Sequence, residues 1–382
     1  MTTHPLKNSP CGKLVPVSNG QMAFVPAPLP RSIAVSNELV YKLDRASQAV
    51  AMLAGIGETI PNPHLLILPF VRREAILSSR IEGTQASLSD LFIHEASGRR
   101  QAKGDVNEVI NYIAAMGHGI ELLVKLPICV RLLNEIHLVL LQGVRGQEQH
   151  PGELRNEIVW IGSEHTPISE ARYVPPPPDI VRDLMEDLER FANEELKLPP
   201  LIQCALLHYQ FETIHPYLDG NGRIGRLLIT LFLYWKGMLP KPLLYLSAYF
   251  ERTRINYYDQ LLNLSATGDW EAWLNYFFDG VYEQAQDAIR RIRRIREVQD
   301  KYKALLLEHH ETANALRLVD GLMATSFTSV GTAARILGVT HAGASGILER
   351  LRAIGIVTKL ENIWPRLYVA SELLDAIDAP VS

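Results

Sequence analysis

The chain has 382 residues, 47% of them hydrophobic and 21% charged, with a formal net charge of −4. That length exceeds one ordinary hydrophobic core, so two or three domains are expected, and the composition excludes a mainly disordered protein. The slight negative charge excludes a polycation that holds nucleic acid through bulk charge, and Cys11, Cys129 and Cys204 are too few and too scattered for a disulfide framework or a zinc site.

A reducing cytoplasm is therefore the compartment expected. Residues 1–17 lack the long apolar stretch of a signal peptide, and the most apolar helical run, 227–235, falls far short of the roughly 20 residues a membrane span needs. No membrane association is expected.

In chain order, residues 1–32 carry many prolines and little periodicity, which predicts an extended N-terminal arm laid over the body. Residues 33–104 read as an N-terminal helical region. Ser36 or Asn37 is placed to cap its first helix, in which Leu39, Leu43, Ala46 and Val50 recur at helical spacing. Further helices are predicted over about 105–124, 127–141 and 180–195, so the fold class is mostly α. One segment, 155–181, breaks the pattern, with β-rich "EIVWIG" and "ARYVP" either side of a polar turn and a run of four prolines at 175–178. It predicts a β-hairpin, either a plain surface hairpin or a strand edge to which an extended segment of another protein adds.

From residue 251 two more helices are predicted, separated by Thr267-Gly268-Asp269, and the second runs into five arginines within 290–296. A helix studded with charge reads as a solvated connector, placed at 281–305. Residues 306–382 then show a short helix through Ile336, a turn at Gly338, a helix over 340–353 and two strands, "IVTKL" and "RLYVA", joined by "ENIWP". That order is a winged helix-turn-helix. Its second helix carries Arg350 and Arg352 but also Glu349, and its first turn, "THAGAS", has side chains too short for bidentate contacts to bases. Protein docking or dimerisation is thus favoured over DNA binding, with a homo-oligomer left open.

The densest chemistry lies at "HPYLDGNGRIGR", residues 215–226. Pro216 ends one helix, "YLDGNG" turns, and a second helix starts, which places the glycine turn at a helix N-terminus, where free N–H groups and the dipole hold phosphate. Gly220 and Gly222 let a ligand approach the backbone, and Arg223 and Arg226 can both face a polyphosphate. Asp219 is placed to hold a magnesium ion on the phosphates, and His215 to take a proton from an attacking hydroxyl. Singly, each residue has an ordinary structural explanation as a turn, a helix stop or a surface ion pair. Together they describe one phosphoryl-group site.

These twelve residues resemble the signature of Fic-domain proteins: histidine, any residue, phenylalanine, any residue, an acid, glycine, asparagine, glycine, arginine, two variable residues and arginine. Tyr217 in the phenylalanine place is the one departure. The resemblance implies a Fic-fold helical core, here 105–280, with the 155–181 hairpin as a flap that positions the target. It also implies transfer of AMP from ATP to a tyrosine, threonine or serine hydroxyl of a target protein or of the chain itself. His215 would be the base, Asp219 the magnesium ligand, and Gly220, Asn221, Gly222, Arg223, Ile224, Gly225 and Arg226 the phosphate cradle. A toxin-kinase branch of the family carries a bulkier basic residue in the Gly222 place.

Upstream, "SSRIEG" is similar to the family's inhibitory pattern, with Ser78, Glu82 and Gly83 in its places. The resemblance implies that Glu82 pairs with Arg226 in the space of the γ-phosphate, and in some relatives such a glutamate also serves removal of AMP. "RINYYDQL" resembles the segment that closes over adenine, with Tyr257 and Tyr258 against the base. Ser265 stands where relatives often have an asparagine. The reading from a different class is a DNA-binding regulator whose Fic core senses a nucleotide.

Overall fold

In the computed structural model the described residues are 5–17, 20–59, 63–97, 104–162, 166–361 and 365–379. The N-terminal segment differs from the extended arm its prolines predict. Gly12–Pro16 (β1) and Met22–Pro26 (β2) pair antiparallel, Leu14 opposite Phe24. The two strand prolines, Pro16 and Pro26, stand at the ends of the ladder, where a missing N–H costs little. Phe24 is fully buried and donates its N–H to Val174 O at 2.9 Å, which ties this small sheet to the middle of the chain.

The body is helical. Ser36 starts α1 (Asn37–Glu58) by accepting the Leu39 N–H on its hydroxyl, and α2 (Pro63–Ile81), α3 (Leu88–Ser97), α4 (Asp105–Leu122) and α5 (Val130–Leu140) follow. Between α5 and α6 (Val181–Asn193) the expected hairpin reduces, among the described residues, to one bridge, Ile161 opposite Tyr173, beside a short 3-10 turn at Ile168–Glu170. Prolines explain the shortfall: Pro167 and Pro175 to Pro178 have no N–H to give a ladder. The expected turn at 163–165 lies outside the described residues.

Two helices form the centre. In α7 (Pro200–Ile214) and α8 (Asn221–Trp235) nearly every residue is buried, so they are covered on all sides and carry no solvent stripe. Around them lie α9 (Ser247–Arg252), α10 (Arg254–Thr267) and α11 (Trp270–Glu308), the last capped by Asp269 and anchored by Trp273, whose indole N–H reaches Ala205 O at 3.0 Å. The expected connector at 281–305 is the second half of this one 39-residue helix.

The C-terminal unit comprises α12 (Ala313–Thr325), β3 (Phe327–Ser329), α13 (Val330–Leu337), α14 (His341–Ala353), β4 (Thr358–Lys359), β5 (Leu367–Val369) and α15 (Ser371–Asp378). Its strands form an antiparallel sheet in the order β3-β5-β4, so the expected strand pair gains a third member, and most of the expected link "ENIWP" lies outside the described residues. Arg350 pairs with Glu311 and Arg352 with Glu349. No helix among the described residues is long and apolar enough to cross a membrane.

The arginine-rich stretch holds this unit on. Arg291, expected on a solvated face, is buried and donates to Ile377 O at 2.6 Å, Ala379 O at 3.0 Å and Asp287 Oδ2 at 2.7 Å. Replacing it by alanine leaves two carbonyls without their donor and Asp287 with only its longer contact to Arg73. Arg291→Ala should therefore cost about 3 kcal/mol of stability, read as a lower urea midpoint with the C-terminal unit loosening first.

Candidate active site

The residue before a proline is disfavoured in the helical region, so α7 ends at His215, which takes up a left-handed conformation with φ 51° and ψ 63°. For a side chain other than glycine this is a strained choice, and it needs an external hold. Arg155 supplies one: its Nε donates to His215 O at 2.8 Å, while its other nitrogens reach Glu157 O, Pro176 O and Ile214 O. One buried guanidinium thus joins the base of the flap to the backbone of the histidine.

The turn that follows is closed from inside. Asn221 accepts the Tyr217 N–H on Oδ1 and donates to Tyr217 O, both at 2.8 Å, so its amide is engaged in the turn rather than turned toward a phosphate as expected. Gly220 has φ 79°, which favours glycine there. Tyr217 is fully buried, stacks on His137 at 3.9 Å between ring centroids and donates its hydroxyl to Asn134 Oδ1, which accommodates the tyrosine in the phenylalanine place. His137 accepts the Gly152 N–H on Nδ1 and so presents a donor at Nε2 to Asp219 O, 2.9 Å away. Burial pushes its pKa down to about 4, which keeps that tautomer neutral.

Asp219 accepts the Gly220 N–H at 2.5 Å and Arg223 Nη2 at 3.3 Å. Arg223 was expected to face a polyphosphate beside Arg226. It is instead fully buried, and its other terminal nitrogen pairs with Glu108 Oε2 at 3.2 Å. The reason is helical geometry: residues three apart share a face only in part, and here the inner position points back toward α4. Arg223 therefore positions Asp219. Among the described residues no group of three or more His, Cys, Asp or Glu side chains could hold a metal. A lone carboxylate suits magnesium that takes most of its oxygens from nucleotide phosphates, and Asp219 meets that requirement.

Arg226 does face the cleft. Its Nε donates to Ser78 Oγ at 2.8 Å, and Nη2 donates to Ser78 O at 3.0 Å and Glu82 Oε1 at 2.7 Å. All three acceptors come from the end of α2, where the chain then turns through Gly83 with φ 98°. Glu82 Oε1 lies against the backbone of Gly222, so that a Cβ added there would overlap it. Burial pulls the Glu82 pKa up, but Arg226 and Arg223 prevail and hold the carboxyl below its ordinary range. The carboxylate thus sits at the N-terminus of α8, the place an anion would take.

His215, Gly222, Glu82 and Arg226 form one end of a cleft of about 590 Å³. The flap contributes Trp160, Ile161, Arg172 and Tyr173, and α10 contributes Tyr258, Leu261 and Leu262. Arg172 and Asp259 form an ion pair that joins these two walls. Of the expected base-contacting pair, Tyr257 is 1% exposed, stacked on Phe250 and hydrogen-bonded to His208 Nε2 at 2.8 Å, so it forms buried floor. Tyr258 is the half-buried ring of the two. Ser265 is hydrogen-bonded to Tyr209 and to Leu261 O, with no group free to replace an asparagine amide. Ile224 is buried core and Gly225 lies against Glu212, so neither presents a side chain to the cleft.

Arg155, His137 and Glu108 were not anticipated. Each lies 60 or more positions from His215 or Arg223, or in a segment with no motif, and only packing brings it near.

Two family models match the chain, one described as the Fic/DOC family N-terminal over residues 40–121 and the other as the Fic/DOC family over 127–233. Proteins named protein adenylyltransferase Fic from Drosophila yakuba and Drosophila melanogaster are each 31% identical over 176 residues, which is 45% of this chain and 32% of theirs. The match thus spans about a third of the length of those relatives. Among solved structures, a Fic family protein from Desulfovibrio desulfuricans G20 has a TM-score of 0.56 at 20% identity, covering 88% of this chain and 97% of its own. Fic-1 from C. elegans has a TM-score of 0.50 at 22% identity, covering 67% and 74%. Both likenesses concern the fold.

Burial and the nearby Arg155 guanidinium push the His215 pKa down to about 4, against the weaker upward pull of the Glu212 carbonyl, Glu82 and Asp219. Because the folded value lies below the unfolded one, the unfolded chain binds more protons between about pH 4 and 6.5. The stabilising effect of the neutral ring is therefore complete above that window and is lost as pH falls through it. Histidine NMR titration should show His215 neutral down to about pH 4, and Glu82→Gly should lower its midpoint further; a midpoint near 6.5 would contradict this account.

Proposed function

Because residues 40–121 and 127–233 match models of the Fic/DOC family, we propose that the chain is a protein adenylyltransferase of that family, moving AMP from ATP to a tyrosine, threonine or serine hydroxyl of a target protein and of itself. The observation that carries this reading is a neutral His215 beside a helix N-terminus whose phosphate seat is occupied by the chain's own Glu82. A site shaped for a carboxylate at that position, with Arg226 beneath it, is shaped for a terminal phosphate as well.

In the reaction proposed, the N–H groups at the start of α8 hold the phosphates and Arg226 takes the γ-phosphate after Glu82 withdraws. The target hydroxyl oxygen attacks the α-phosphorus in line with the departing pyrophosphate, and His215 takes the hydroxyl proton. Neutral imidazole at working pH is the form a base needs, and catalysis otherwise rests on positioning and charge neutralisation. Asp219, with the phosphates, would hold magnesium, which when bound offsets charge on the leaving pyrophosphate. Arg155 keeps His215 in register, and Arg223 keeps Asp219 in place.

The described flap residues Trp160, Ile161, Arg172 and Tyr173 line the same cleft as His215, and the flap is the proposed docking site for the target segment, with Trp160 exposed on it. Adenine is assigned to the wall made by Tyr258, Leu261 and Leu262. Glu82 is the brake, and the same carboxylate is assigned to water positioning if AMP is also removed. A cytoplasmic setting is consistent with Cys11, Cys129 and Cys204 all being free thiols.

The test is label transfer from α- and γ-labelled ATP with magnesium. Glu82→Gly should incorporate α-label into itself at least tenfold faster than the wild type, since the brake occupies the phosphate seat, and His215→Ala in that background should abolish it. Retention of γ-label would make the protein a kinase; no label from either position in Glu82→Gly, with cell lysate supplied as target, would remove the transferase reading.

A further inference from the structure

Glu82 is not the only carboxyl on the cleft face of α8. Glu212 stands one turn before His215 on α7 and lines the same cleft as Arg226 and Glu82. Its Oε1 is buried without a hydrogen-bond partner, a costly state for a polar atom and one that the catalytic scheme above leaves unexplained. That oxygen lies against Gly225, where an added Cβ would overlap it, just as Glu82 Oε1 lies against Gly222. Two carboxyls therefore sit over two glycines one helical turn apart; Arg226 is hydrogen-bonded to Glu82, and the charge of Glu212, on the same cleft, helps to raise its pKa.

When Glu82 withdraws, Arg226 is left as a buried cation without its partner, which is strongly unfavourable. The γ-phosphate of ATP is one replacement; of the two other carboxyls within its field, Glu74 accepts bonds from Tyr112 and Ser247 outside the cleft lining, whereas Glu212 lines the cleft. We propose that Glu212 is a competing partner for Arg226, so that its ionised form weakens ATP binding in the released enzyme. This rests on reading the cleft as an ATP site. Glu212 acts on nucleotide affinity through Arg226 and is a positioning residue.

Burial pushes the Glu212 pKa up to about 7, with Arg226 opposing and Glu82 adding to the rise. The groups that face it are Arg226 from α8, Glu82 from α2 and Tyr257 from α10, with His215 a turn along its own helix and Arg172 and Arg254 elsewhere in the cleft lining. Below its pKa the carboxyl is neutral and leaves Arg226 to the phosphate; above it the carboxylate competes. Loss of Glu82 removes one upward influence, so the change falls somewhat below pH 7 in Glu82→Gly.

The experiment is calorimetric titration of Glu82→Gly and of Glu82→Gly with Glu212→Gln, using ATP with magnesium at about pH 5.5 and about pH 8.5, values that bracket the titration. At the higher pH the double variant should bind ATP about fivefold more tightly, the order expected on removing one competing charged contact, and at the lower pH the two should agree within about twofold. Comparing the variants at each pH cancels the titration of ATP itself. Gly225→Ala in the Glu82→Gly background displaces the carboxyl without removing its charge, and should reproduce the tightening if the glutamine variant does not fold. A Kd ratio indifferent to pH, or weaker binding in the glutamine variant, would overturn the role of Glu212 alone. Absence of ATP binding by Glu82→Gly at both pH values would overturn the ATP-site reading itself.

Discussion

The buried guanidinium of Arg226 is the interaction on which the cleft depends. It ties the end of α2 to the second turn of α8 through Ser78 and Glu82, and both the anion seat and the brake of the proposed scheme rest on that one tie. A buried arginine must keep a counter-charge, so the open and closed conditions of the site differ in which anion meets it. In the proposed scheme, inhibition and substrate binding are alternatives at one cation.

That arrangement gives α2 a second importance, because its other contacts lead away from the cleft. Arg72 on α2 donates to Ala324 O in the C-terminal unit, and Arg73 pairs with Asp287 on α11, the same carboxylate that holds Arg291. The helix that leads to Glu82 is therefore also a helix that contacts the C-terminal unit.

Electrostatics around the cleft separates the roles of groups that look alike in composition. His137 and His215 are both kept neutral by burial, yet His137 has both ring nitrogens engaged in backbone bonds and secures the loop, whereas His215 lines the cleft. Arg223 and Arg226 are three residues apart and both buried; one is turned to Glu108 and Asp219, the other to the cleft. Residue type does not distinguish the members of either pair. Direction, set by which helix packs behind each, does.

Much of this was legible in the order of residues. The helices, the stop at His215-Pro216, the glycine turn opening α8 and the cap at Ser36 follow from local propensity or from a contiguous motif, and local rules act within a few positions of chain; the pairing of Glu82 with Arg226, 144 positions apart, was implied only by the family resemblance. The small sheet of β1 and β2 was not legible, because a proline-rich strand gains its partner only when the ladder places the prolines at its ends. Nor was the reduction of the flap to a single bridge, the inward turn of Arg223, the burial of Tyr257 or the clamp of Arg155 on His215. Each depends on segments far apart in the chain meeting in a packed interior, where a side chain's direction is fixed by the volume and charge around it. The sequence by itself determined which chemical groups stand at the turn; the tertiary structure decided which of them face the cleft.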